Sequence, residues 1–214
     1  IAEAEDFTIR TPGWEIVPYR ENYFASTFAI TFLSRMACLG APEQLPDGQT
    51  TIAEQVINVP IADTYEVLGR YEQPFQYSCE FTVEIEQKGK VVGKLLFGRL
   101  QDEKYWPFDK GKTAAMKRFW WGATDNIVWQ NPGKVKLAEG TATLRLLAGA
   151  QKDGKKPRVT AARRHVDVIV LTNDRAGMEK QHKTGYLPFD GWLTQDGDLY
   201  ARLTNRGDKP IVPT

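Results

Sequence analysis

Three carboxylates are the first side chains in this sequence with chemistry to offer. One is Asp167, in the run Arg163 to Thr172. There Val166, Val168 and Val170 fall on one side of an extended strand, and Asp167, Ile169 and Leu171 on the other. Val and Ile are stiff, strand-favouring residues, so a run apolar on both sides predicts a strand covered on both faces. A carboxylate in such a strand needs a partner or a metal. Candidates lie at the opposite end of the chain, where Glu3 and Glu5 stand in an acidic opening. The alternative leaves Glu3 and Glu5 solvated and pairs Asp167 with Arg163, Arg164 or His165.

The second group is aromatic. Residues 101–131 hold Tyr105, Trp106, Phe108, Phe119, Trp120, Trp121 and Trp129, interrupted by Lys104, Lys110, Lys112, Lys117 and Arg118. Rings stack on the C–H faces of sugars, and amides and carboxylates take their hydroxyls in a concave site. Candidate carbohydrate-binding residues are therefore Tyr105, Trp106, Trp120, Trp121, Asp125, Asn126 and Trp129. Tryptophan is also a core residue, so some of these rings are expected inside. Trp121 and Trp106 are the first choices for exposure, because Gly122 and Pro107 follow them. Lys104, Lys112, Lys117 and Arg118 would attract an acidic polysaccharide; a solvated loop is the plainer reading.

Catalysis finds less support. Asp102, Glu103, Asp109 and Asp125 are available, but no spacing selects a glycosidase pair. The only histidines are His165 and His182, and no nucleophile motif occurs, so no catalytic residue is assigned. With 28 basic and 27 acidic residues the net charge is +1, which argues against a nucleic-acid partner. No apolar run reaches membrane-spanning length. Cys38 and Cys79 read as buried thiols, with a disulfide as the alternative; zinc spacing is absent.

The elements that must position these residues are strands. Ala2 to Ile9 reads as a first strand, with Glu3, Glu5, Phe7 and Ile9 on one face. Trp14 to Val17 is a short strand stopped by Pro18. Residues 23–39 mix a helical turn near Ala25 to Ile30 with a strand near Arg35 to Leu39. Ala53 to Val59 ends at Pro60, and Thr64 to Glu72 aligns Tyr65, Val67 and Tyr71. Cys79 to Gln87 turns Phe81, Val83 and Ile85 inward, and Lys88-Gly89 makes a tight turn into Lys90 to Phe97. Lys134 to Leu137, Thr141 to Ala148 and Arg164 to Leu171 complete the set. Short strands at this spacing without long helices define an all-β fold, a β-sandwich. Residues 101–131 form a long excursion from one end of it, and long structured loops usually carry function.

The motifs Ala2-Glu3-Ala4-Glu5-Asp6-Phe7, Thr64-Tyr65-Glu66-Val67-Leu68-Gly69-Arg70-Tyr71 and Val166-Asp167-Val168-Ile169-Val170-Leu171 are similar to the family 6 and family 35 carbohydrate-binding modules. Val135-Lys136-Leu137 followed by Gly140-Thr141-Ala142-Thr143-Leu144 resembles their strand, glycine turn and next strand. The resemblance covers Ile1 to Thr172. It implies a galactose-binding-like jelly roll with a structural calcium near the chain ends, held by Glu3, Glu5 and Asp167. That agrees with the hard oxygen ligands calcium takes and with the repulsion of gathered carboxylates that lack a cation.

The expectation is thus a jelly-roll module over residues 1–173, followed in 174–214 by a linker and the start of another β domain. The chain has no starting Met and no signal pattern, which reads as a processed or excised polypeptide. Its expected role is a non-catalytic carbohydrate-binding module of a larger extracellular, periplasmic or cell-surface protein. The partners would be a polysaccharide, neutral or acidic, and a neighbouring domain. The alternative is a structural accessory domain that packs on a catalytic neighbour without binding glycan.

Overall fold

The computed structural model describes residues 1–18, 37–73, 77–106, 114–115, 127–154, 156–158 and 161–177. In chain order the strands are β1 (Ala2–Glu3), β2 (Thr8–Ile9), β3 (Glu15–Pro18), β4 (Ala37–Ala41), β5 (Thr50–Val59), β6 (Asp63–Glu72), β7 (Phe81–Gln87) and β8 (Lys90–Phe97). There follow β9 (Tyr105–Trp106), β10 (Ala114–Ala115), β11 (Ile127–Leu137), β12 (Gly140–Gly149), β13 (Lys152–Asp153), β14 (Lys156–Pro157) and β15 (Arg164–Thr172). A larger sheet runs β10-β9-β11-β6-β15-β4-β3, with β1 also paired to β15; a smaller one runs β2-β5-β12-β7-β8. All strand pairs are antiparallel. This is the all-β sandwich expected of the sequence.

The smaller sheet follows its alternation. Phe81, Val83 and Ile85 of β7 enter the core with Ala142, Leu144 and Leu146 of β12. The hairpin turn has Lys88 at φ 53° and Gly89 at φ 72°, as a tight two-residue turn demands. On the outer face an ionic ladder crosses the strands. Glu54 takes Arg10 at 2.7 Å and Arg145 at 3.2 Å; Arg145 also reaches Glu84 at 3.3 Å and Glu86 at 2.7 Å; Lys94 closes on Glu84 at 2.8 Å. Opposite charges on neighbouring strands are the favourable cross-strand arrangement.

Between the sheets, Phe81 and Phe97 stack at 5.1 Å and Tyr71 meets Phe81 edge-on at 5.4 Å. A Cβ on Gly69 would lie 2.8 Å from the Phe97 ring, so the bare backbone there admits that ring. Trp14 is buried, and its indole N–H donates to the Leu146 carbonyl at 3.0 Å.

The chain's opening departs from the single strand expected over Ala2 to Ile9. β1 pairs with β15 of the larger sheet and β2 with β5 of the smaller. Between them Ala4–Asp6 forms a 3-10 turn. The turn carries the backbone from one sheet to the other, so Ala2, Ala4 and Phe7 all reach the core and the period-2 pattern breaks. Between β12 and β15, β13 and β14 form a short hairpin. Cys38 and Cys79 are buried and are not bridged to each other. Burial pushes the Cys79 thiol pKa well above its ordinary value, so it is inert. The helical turn expected near Ala25 to Ile30 and residues 178–214 lie outside the described residues. Among the described residues no helix is long and apolar enough to cross a membrane.

Candidate functional site

The two chain regions that carry the acids are neighbours. In the β1–β15 pair Ala2 faces Ile169 and Glu3 faces Val168. Residues directly opposite across an antiparallel pair share a sheet face. Ala2 and Ile169 belong to the core, so Glu3 and Val168 lie on the outer face of the larger sheet.

Asp167 reaches that face through a bulge. Val166 stands opposite Tyr71 but Val168 stands opposite Arg70, leaving Asp167 as an extra residue on β15. A bulge re-aims a side chain and resets the alternation. Val166 and Ile169 therefore both point into the core, which corrects the grouping of Val166 with Val168 and Val170. Asp167, 1% exposed, forms an ion pair with Arg70, 2% exposed. The partners expected in its own strand are engaged elsewhere. Arg163 pairs with Glu15, and His165 Nδ1 meets Glu72. Arg164 donates to the carbonyls of Pro42, Glu80 and Gly149, and burial lowers its pKa to about 10.

Sequence reasoning missed Arg70. It lies in β6 between apolar neighbours, 97 positions from Asp167, and only the strand register brings them together. Its guanidinium also sits over the Trp129 ring at 5.6 Å, the two residues being opposite each other on β6 and β11. Trp129 is 4% exposed, so in this structure it packs against the Arg70 cation and offers no open face to a sugar.

A hard cation needs several oxygen ligands. Of the three carboxylates expected around calcium, Glu3 and Asp167 are at neighbouring register positions on adjacent strands, and the side chain of Glu5 lies outside the described residues. Asp167 shares its Oδ2 with Arg70. Among the described residues no group of three or more His, Cys, Asp or Glu side chains gathers. The register thus places Glu3 and Asp167 on adjacent strands, and no third described carboxylate joins them.

The aromatic excursion is mounted on the edge of the larger sheet. Tyr105 of β9 pairs with Trp129 of β11, and Trp106 pairs with Ala114 of β10. The side chains of Tyr105 and Trp106 lie outside the described residues, as do Trp120, Trp121, Asp125 and Asn126 in full, together with Asp109, Lys112, Lys117 and Arg118.

The loop leading into β9 is fastened from within. Lys104 is 2% exposed, and its ammonium donates to the carbonyls of Arg99 at 2.6 Å and Asp102 at 2.9 Å. Burial lowers its pKa. Lys104 therefore staples the loop and presents no charge to a glycan, which removes it from the expected basic set. Asp102 accepts from Arg99 at 3.1 Å and from Gln130 at 3.2 Å, so it too is structural. The other end of the Gln130 amide accepts from Tyr71 O–H at 2.7 Å and Gly98 N–H at 3.1 Å. Gly98 has φ +79°, and a Cβ there would stand 2.3 Å from the Cys79 carbonyl. At the foot of the excursion lies a cleft of about 350 Å3 between Leu95, Leu96, Arg99, Glu103, Asn131 and Pro132.

Neither a protein-family model nor a curated protein matches the chain. Solved structures similar to it include a family 36 carbohydrate-binding module in complex with calcium and xylotriose, 14% identical, covering 79% of this chain and 97% of that one at a TM-score of 0.42. A family 35 carbohydrate-binding module from Clostridium thermocellum is 13% identical over 80% of this chain and 95% of that one, with a TM-score of 0.44. A β-(1,4)-mannanase of Podospora anserina that carries a family 35 module is 15% identical over 79% of this chain and 26% of that one, also at 0.44. At these identities and TM-scores the likenesses carry no functional weight.

Proposed function

We propose that this chain is a non-catalytic carbohydrate-binding module of a larger extracytoplasmic polypeptide. Glycan binds along the aromatic excursion and the cleft at its foot. The observation that carries this reading is that cleft. Its volume, about 350 Å3, is in the range of small-ligand sites, roughly 300–1,000 Å3. Arg99, Glu103 and Asn131 offer polar groups beside aliphatic Leu95, Leu96 and Pro132, the pairing that a sugar ring requires. The buried Lys104 and Gln130 fix the loop from Arg99 to Lys104, so this wall of the cleft is held in place before binding. Trp121 and Trp106 are assigned the stacking role in this reading, and Trp120, Tyr105, Asp125 and Asn126 the remaining contacts.

The test is retention of the chain on immobilised polysaccharide. Trp121→Ala is expected to abolish retention; unaltered retention would remove that ring from the site. An acidic glycan would be drawn by Lys112, Lys117 and Arg118, and its binding should weaken as salt rises. Salt-independent retention points to a neutral one.

Calcium belongs to this reading as a structural ion. Glu3, Glu5 and Asp167 would hold it, and it would tie the first strand to the last. The β1–β15 pairing supports that role. The second reading, an accessory domain docked on a catalytic neighbour, is favoured by β8, an edge strand whose Val91 and Val92 are 49% and 41% exposed. Trp121→Ala would leave such docking intact.

A further inference from the structure

β5 is only half covered along one edge. β2 pairs with it at Ala53 and Glu54 and no further. Over residues 55–59, β12 holds one side of β5, and among the described residues no strand holds the other. An open edge presents unpaired N–H and C=O groups, and proteins commonly blunt it with charge, proline or a bulge. Residues 55–59 contain no charged residue and no proline, and they pair with β12 without a register shift. The edge is therefore a template for one more strand.

Beside it lies a cleft of about 530 Å3, between β5 and the end of β15. Tyr65 and Leu137 are buried in its floor, and Ile57 and Leu171 are partly buried there. Ile1, with its α-amino group, also lines it, and among the described residues no charged side chain does. A fitting guest offers backbone groups to the edge and, on alternate residues, apolar side chains to the floor. That is the mode of strand addition.

The course of the chain points to the guest. Thr172 and Asn173 line the cleft, so the chain leaves β15 beside it. Residues 178–214, outside the described residues, include Leu199-Tyr200-Ala201-Arg202-Leu203. Apolar residues stand there at every second position, the period of a strand with one buried face. The run is as long as the open stretch of β5. The residues from 178 to 198 extend to about 70 Å, more than the width of a domain of this size, roughly 40 Å. Tethering gives the run an effective concentration on the order of millimolar, an advantage over a second copy or a free peptide.

We propose that residues 199–203 add to the open edge of β5 as a further strand of the smaller sheet. Leu199, Ala201 and Leu203 cover Ile57 and Leu171, while Tyr200 and Arg202 face outward beside Val56 and Asn58. The segment expected to begin another domain thus completes this one. The inference does not use the glycan-binding reading, and either can fail without the other.

The test has two readouts on the whole chain. The first is amide hydrogen exchange of residues 55–59, measured without any substitution. The amides that point away from β12 should exchange slowly, and Leu199→Asp with Leu203→Asp should speed them about tenfold or more. The second is methyl NMR of Ile57, Leu137 and Leu171 with a nitroxide on Tyr200→Cys; Cys38 and Cys79 are buried away from the label. The three residues' methyls should broaden. They should stay sharp when the nitroxide is on one chain and the isotope label on another. Unprotected edge amides in the unsubstituted chain would overturn the proposal, as would protection that survives the double change. So would sharp methyls in the folded nitroxide-bearing chain. Broadening between separate chains would place a second copy in the groove and overturn it too.

Discussion

Arg70 is held between a carboxylate and an indole, and neither contact reaches solvent. Its pair with Asp167 is almost wholly buried. Breaking such a pair by removing one partner strands an uncompensated charge and costs about 3–5 kcal/mol, whereas replacing both with apolar groups is often neutral. Arg70→Met should therefore lower the urea midpoint sharply. The double change Arg70→Met with Asp167→Leu should recover most of the loss. If the double variant were no more stable than Arg70→Met, Arg70 would owe its role to Trp129 and not to Asp167. None of this could be read from the residues in line. Asp167 announced that it needed a partner, but the register that selects Arg70 over its neighbours Arg163, Arg164 and His165 exists only in the folded sheet.

At the scale of elements, the two sheets differ in how plainly they were written. In β7, Phe81, Val83 and Ile85 alternate with polar residues because one face meets the core and the other the ionic ladder. In β6 and β15 both faces are covered, so Leu68, Arg70 and Glu72 are as buried as Tyr71 and the alternation says little. The bulge at Asp167 and the 3-10 turn at Ala4–Asp6 each shift a side chain to the other face, and neither has a composition signal. The ladder makes its own prediction. The hydrogen bond from Arg10 leads the causes that lower the pKa of Glu54, and that from Lys94 leads for Glu84. Folded values below the unfolded carboxylate value of about 4.3 mean a contribution present above that pH and lost as pH falls through the folded values. Urea midpoints should drop as the solution is acidified below about pH 4, modestly, since such surface pairs contribute about 1 kcal/mol or less each. Arg10→Met combined with Lys94→Met should flatten that dependence; an unchanged slope in the double variant would exclude these pairs as its source.

For the whole molecule, the pairing of β1 with β15 is what makes the chain ends one neighbourhood. The sandwich and the meeting of its first and last strands were legible, because strand-length apolar runs and turn residues recur along the chain. The proposed site was legible only as a cluster of rings and amides, and Lys104 and Trp129 turned inward for reasons of packing that no spacing reveals. If calcium joins Glu3 and Glu5 to Asp167, the melting temperature should fall in chelator, by roughly 2–4 °C for each kcal/mol of binding in a chain of this size. An identical melt in chelator and in calcium would exclude a structural calcium at Glu3, Glu5 and Asp167.

Sugar recognition itself is tested most directly by screening the whole chain on a glycan array, with and without calcium, beside Trp121→Ala. The account predicts binding to a restricted set of polysaccharide fragments by the parent chain and loss of that set in the variant. An array on which the folded parent binds no glycan under either condition would contradict it.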